Sequence, residues 1–145
     1  MPDSRDQAEA DELLRLAIAE PALAAARARQ LATMTTDPWL LSVAGHARGI
    51  VLRDQGRTDE AVRELRSARQ LAQRSGDPDR LADVRATLGN SLAFGGRTRS
   101  GLRELDRSVA EAVGVRVRAR CLTRRGLVLT EVLGRHQEAL VEVIG

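Results

Sequence analysis

The 145-residue chain has no lysine and no tyrosine, and only one phenylalanine (Phe94), one tryptophan (Trp39) and one cysteine (Cys121). A core without aromatics must be filled by Ala, Leu and Val, which suits close helix packing better than a β-sandwich. One cysteine excludes an internal disulfide. No hydrophobic leader follows Met1-Pro2-Asp3-Ser4-Arg5-Asp6, so a cytoplasmic protein is expected. No apolar run approaches the roughly 18 residues that span a bilayer. β-Branched residues cluster only from Val113 to Val117, where Gly114 and Arg116 interrupt them, so no strand is expected.

The chain is 43% hydrophobic and 30% charged, enough for one core and a well-solvated surface. All 23 basic residues are arginine against 20 acids, a net charge of +3. Because arginine does not titrate, the high isoelectric point overstates the field around the molecule. The distribution is uneven. Residues 1–20 carry a net −4 and the remainder +7, so residues 1–6 read as a disordered acidic arm.

A shift of 40 residues lays the chain on itself. Asp37-Pro38 falls on Asp77-Pro78, Leu41 on Leu81, Gly49 on Gly89 and Leu52 on Leu92. Gly56-Arg57-Thr58 falls on Gly96-Arg97-Thr98, Arg63-Glu64-Leu65 on Arg103-Glu104-Leu105, and Ala72 on Ala112. These are twelve identities across residues 37–72, where chance gives about three or four, so the repeat is real. A further shift of 38 carries Gly76 to Gly114 and Gly96-Arg97 to Gly134-Arg135.

Each unit reads as two helices. Asp37 and Asp77 can cap the first helix, with Pro38 and Pro78 at its first position, where no donor is lost. Gly56 and Gly96 supply a left-handed residue to end it. Thr58 and Thr98 are expected to cap the second helix, whose apolar residues recur every three or four positions (Ala61, Val62, Leu65, Ala68, Leu71, Ala72) until Gly76 closes it. The expected organisation is a leading pair over 7–36, split at Pro21, and units over 37–76, 77–114 and 115–145. The last is incomplete, with its turn at Gly134 and His136. The fold class is all-α, an α-solenoid of antiparallel helix pairs.

Gly49, Leu52, Gly56, Ala61, Leu65 and Ala68 resemble the tetratricopeptide repeat, which sets small and large residues at such offsets on paired helices. The second unit supplies Gly89, Leu92, Gly96, Gly101, Leu105 and Ser108, and the third Gly134 and Ala139, with Leu127 at the usual small position and Gly126 one residue early. The repeat is longer than the usual one, and Gly45 and Arg85 stand where an aromatic is common. The Arg-only, Ala/Leu-rich style, with Leu133-Gly134-Arg135-His136-Gln137-Glu138-Ala139-Leu140, also resembles the repeat region ahead of the caspase-like peptidase in actinobacterial CHAT-domain proteins, and the repeats of large multidomain transcriptional regulators.

The resemblance implies a non-catalytic module that holds a peptide or helix in a concave groove; the alternative is a regulatory segment of a CHAT peptidase or multidomain regulator. On the template, His46, Ile50, Arg53, Asp83, Asn90, Phe94 and Arg124 face the groove. Asn90 follows Gly89 much as the peptide-clamping asparagine of some members does.

Residue chemistry agrees with a binding role. Cys121 has no positioned base and reads as a small buried helix residue. His46 and His136 lie too far apart in sequence to form a metal-ligand pattern, and Gly95-Gly96-Arg97-Thr98 lacks the spacing and lysine of a phosphate loop. No cofactor is expected. Arg116, Arg120 and Arg124 share a helix face as a basic patch suited to acidic protein ligands. Nucleic acid is disfavoured by the missing aromatics. Trp39 is expected to anchor the leading pair to the first unit. Exposed Leu140, Val141, Val143 and Ile144 at an uncapped end suggest a longer protein or self-association.

Overall fold

A computed structural model describes residues 2–144, with side chains described through residue 135. Seven α-helices make up the described residues: α1 (Ser4–Ala19), α2 (Pro21–Met34), α3 (Pro38–Asp54), α4 (Thr58–Ser75), α5 (Pro78–Phe94), α6 (Thr98–Glu111) and α7 (Val115–Ile144). No strand occurs among them.

The punctuation of the two central units is local chemistry repeated. The Asp37 carboxylate accepts from the Trp39 N–H and the Asp77 carboxylate from the Asp79 N–H, each ahead of a proline at the first helical position. At the far ends, Gly56 (φ 77°) and Gly96 (φ 95°) take the left-handed conformation. They let the Arg57 and Arg97 N–H groups return to the carbonyls of Leu52 and Leu92. Gly76 (φ 76°) ends α4 in the same conformation, its own N–H donating to the Gln73 carbonyl.

Thr58 and Thr98 are not caps. They are the first residues of α4 and α6, and the cap positions fall to Arg57 and Arg97, whose side chains make no capping bond. The tight glycine turn pulls the helix start one residue early.

Two further expectations change. Residues 4–6 are no arm: α1 begins at Ser4 because the Asp3 carboxylate accepts from the Asp6 N–H at 2.8 Å. Nor does α7 turn at Gly134; it continues to Ile144, through His136. Gly134-Arg135 lacks the Thr that follows Gly-Arg in both earlier units, and one interior glycine costs a helix only about 1 kcal/mol. The expectations for Ala139, Leu140, Val141, Val143 and Ile144 concern side chains outside the described set.

Consecutive helices pack on one another, and the odd-numbered helices also touch in order, α1 on α3, α3 on α5 and α5 on α7. Small residues set how closely. A Cβ added at Gly49 would come within 2.5 Å of Leu65 Cδ2, and one at Gly45 within 3.2 Å of the Ala68 methyl. In the next unit the approach is backbone on backbone: a Cβ at Gly101 would lie 2.5 Å from the Gly89 carbonyl oxygen. The core falls into adjoining clusters. One joins Leu13, Leu16 and Ala17 of α1, Ala24 and Ala28 of α2, and Trp39, Val43 and Ile50 of α3. Another joins Ala82, Ala86, Leu105, Cys121 and Val128 across α5, α6 and α7.

Equivalent positions stitch unit to unit. The Trp39 indole N–H donates to Asp77 at 2.8 Å, tying the start of α3 to the cap of α5. Forty residues on, the Asp79 carboxylate accepts from the backbone N–H groups of Val113 (2.8 Å) and Gly114 (3.1 Å), holding the turn before α7.

Candidate functional site

A groove of about 840 Å³ runs from α1 to α7 across α3 and α5. Gln7, Asp11, Leu14 and Ile18 of α1 form one wall, and Arg116, Arg120 and Arg124 of α7 form the other. The floor includes His46 and Ile50 of α3 and Asp83 of α5. Both walls follow from helical spacing: residues 7, 11, 14 and 18, and residues 116, 120 and 124, each fall on one helix face. The α1 face borders the one that buries Ala10, Leu13 and Ala17, and Leu14 packs against that core.

Beneath the groove lies a polar network. His46 is buried on α3; its Nε2 is 2.8 Å from Thr87 Oγ1 and its Nδ1 faces the guanidinium of Arg80. Arginine can only donate, so Nδ1 accepts and Nε2 carries the proton, which it donates to Thr87. The Thr87 hydroxyl in turn donates to the Asp83 carbonyl. Burial, with the Arg80 charge adding to it, holds His46 well below the usual imidazole range, so the ring is neutral.

Asp83 receives the Arg120 guanidinium at 3.2 and 3.3 Å, with Arg80 at 3.8 Å. Burial alone would raise its pKa; the positive charge of Arg80 and Arg120 outweighs this and holds the carboxyl below its ordinary value. Burial shifts Arg80 downward, against the pull of Asp83.

Arg124 differs from Arg120. No described carboxylate lies within ion-pair distance of it, and burial together with the nearby Arg53 charge lowers its pKa. An arginine partly withdrawn from water and next to a like charge favours an incoming anion.

The structure thus brings His46, Ile50, Asp83, Arg116, Arg120 and Arg124 to one groove. It places the other three expected residues outside the lining. Arg53 pairs with its neighbour Asp54 at 3.0 Å. Asn90 is buried within α5. Phe94, the last residue of α5, is 47% exposed beside the Gly95-Gly96 turn. Sequence reasoning missed the α1 wall and Arg80. The spacing of Gln7, Asp11, Leu14 and Ile18 was the available signal for the wall; nothing in the sequence pairs Arg80 with a histidine 34 residues earlier.

Cys121 is fully buried, its Sγ 3.7 Å from the Ala82 carbonyl, and burial raises its pKa despite the nearby arginines. It is a thiol, not a thiolate. Among the described residues no three His, Cys, Asp or Glu side chains cluster as metal ligands, and no helix is long and apolar enough to cross a membrane. No family model, curated protein or solved structure matches the chain.

Proposed function

We propose that the chain is a tetratricopeptide-like α-solenoid of antiparallel helix pairs and acts as a non-catalytic binding module. The groove between α1 and α7 receives an extended peptide or helix that presents an acidic side chain to Arg124. Two contact ladders support the pairing: Gly45 meets Ala68 while Gly49 meets Leu65, and Gly89 meets Leu105 while Ala93 meets Gly101. In both, the partner number falls as the first rises. A curved array of rigid helices needs no catalytic group to serve as a binding surface.

The observation that carries the ligand chemistry is Arg124, which lines the groove without a carboxylate of its own among the described side chains. Arg116, exposed one turn from Arg120, extends the basic wall, while Asp11 opposite favours a basic residue on the ligand's other side.

Selection of a displayed random peptide library on the intact chain tests the reading. Enriched peptides are expected to carry Asp or Glu, and Arg124→Gln should weaken a selected peptide at least about tenfold, or about 1.4 kcal/mol. Peptides without acids, or an affinity that Arg124→Gln leaves unchanged, would contradict it. Phe94→Ala should leave the affinity as it is.

A further inference from the structure

Helices α3 and α5 each use glycine to admit the helix that follows: Gly49 is filled by Leu65 of α4, and Gly89 by Leu105 and the backbone of α6. Helix α7 also carries a glycine, Gly126, but a Cβ placed there would meet nothing within 4 Å. Around it lie Leu122 (48% exposed), Leu133 (61% exposed) and half-buried Leu129. Residues 122, 126, 129 and 133 fall on one face of the helix. They form an uncharged apolar stripe with a notch, about a third of a turn from the buried Cys121 and Val128 face and half a turn from Arg124.

We propose that this stripe pairs with the same stripe of a second copy of the chain, α7 against α7 in opposite directions. The stripe's own order selects that occupant. Turned end for end about a two-fold axis between residues 127 and 128, Leu122 of one copy opposes Leu133 of the other, and Gly126 opposes Leu129. Each notch then receives a leucine, as Gly49 receives Leu65. A two-fold contact must be self-complementary in this way.

The charges near the stripe do not oppose the contact. Arg125, beside it, is already paired with Asp106 at 2.7 Å, exposed Arg118, one turn before Leu122, falls opposite the uncharged residue Gln137 in this register, and the Arg116, Arg120 and Arg124 wall points away. Both grooves therefore stay open in the pair, and a partner with two acidic segments would gain by avidity. The contact is small, so the pairing is weak and concentration-dependent.

Sedimentation velocity of the full chain, from low to high micromolar concentration, reads it directly. The mass should rise from 15.8 kDa toward twice that value. Leu122→Arg and Leu133→Glu, both at exposed positions, should each hold the protein at the monomer mass with an unchanged helical circular dichroism spectrum. The double variant should pair again, because the register sets each new arginine against a new glutamate. A monomer at every concentration overturns the proposal, and so does a dimer indifferent to both single variants. A double variant that stays monomeric overturns the opposed register. If the chain stays monomeric but binds a synthetic peptide of residues 58–75 in a way that Leu122→Arg abolishes, the stripe takes a repeat-type helix from outside residues 1–145, and the proposal of a second copy is overturned.

Discussion

The units α3–α4 and α5–α6 share their caps, their glycine turns and a leucine at the same place on the second helix, yet they close the space between their helices differently. In the first unit Gly45 and Gly49 are filled by Ala68 and Leu65, side chain into notch. In the second, Arg85 replaces Gly45 and Gly101 replaces Ala61, so the backbones meet at Gly89 and Gly101. Arg85, only 6% exposed, is covered by ion pairs to Glu104 (3.1 Å) and Glu111 (3.2 Å), and Glu104 also binds Arg69 of α4. The equivalent Glu64 makes one half-exposed pair with Arg48 at 3.3 Å. One scaffold thus accepts an apolar or an ionic solution, provided both helices of the pair change together.

Substitutions can break that comparison in a defined order. The largest effect is expected at Gly101. Its Cβ would press on the Gly89 carbonyl and the Ala93 N–H, backbone groups that cannot swing aside, so Gly101→Ala should cost about 3 kcal/mol in urea denaturation. Gly49→Ala pushes on the Leu65 side chain instead and should cost about 1–2 kcal/mol. Combining it with Leu65→Ala should cost less than the sum of the two, because the small residue vacates the space. Gly45→Ala meets only the Ala68 methyl at 3.2 Å; the gain in helix propensity of about 1 kcal/mol should leave the melting temperature nearly unchanged.

The ion pairs sharpen the same contrast. Glu104→Ala strips most of the cover from a buried guanidinium and should cost about 3 kcal/mol. Glu64→Ala, in the half-exposed pair, should cost under about 0.5 kcal/mol. A double-mutant cycle of Arg85 with Glu104, set beside one of Arg48 with Glu64, measures the difference.

A smaller effect belongs to the α3–α5 seam, where His46 is buried. His46 is neutral in the folded state, with its pKa below the unfolded value of 6.5, so the unfolded chain binds the extra proton first. Stability is full above pH 6.5 and falls as pH drops below it, by at most about 1.4 kcal/mol per pH unit from this one group. His46→Gln should flatten that part of the profile. Asp83, whose folded pKa is depressed, contributes stability that persists through this range and is lost only as pH falls through the carboxylate region.

The repeat frame was legible because its signals are local. Asp-Pro marks a helix start and Gly-Arg-Thr a turn wherever they occur. Position 134 misled because a glycine ends a helix only where it turns left-handed, as Gly56 and Gly96 do, whereas Gly134 stays inside α7. The groove was legible where the template is regular, at His46, Ile50, Asp83 and Arg124. Asn90 and Phe94 lie further along α5, where burial and the helix end decide their surroundings. Arg80 could not be read at all, since its role depends on α3 and α5 lying side by side.

A crystal structure of the chain with a library-selected acidic peptide tests the central claim most directly. The peptide should lie between α1 and α7 with a carboxylate on Arg124. Density against α2, α4 or α6, with the groove left open, would contradict it.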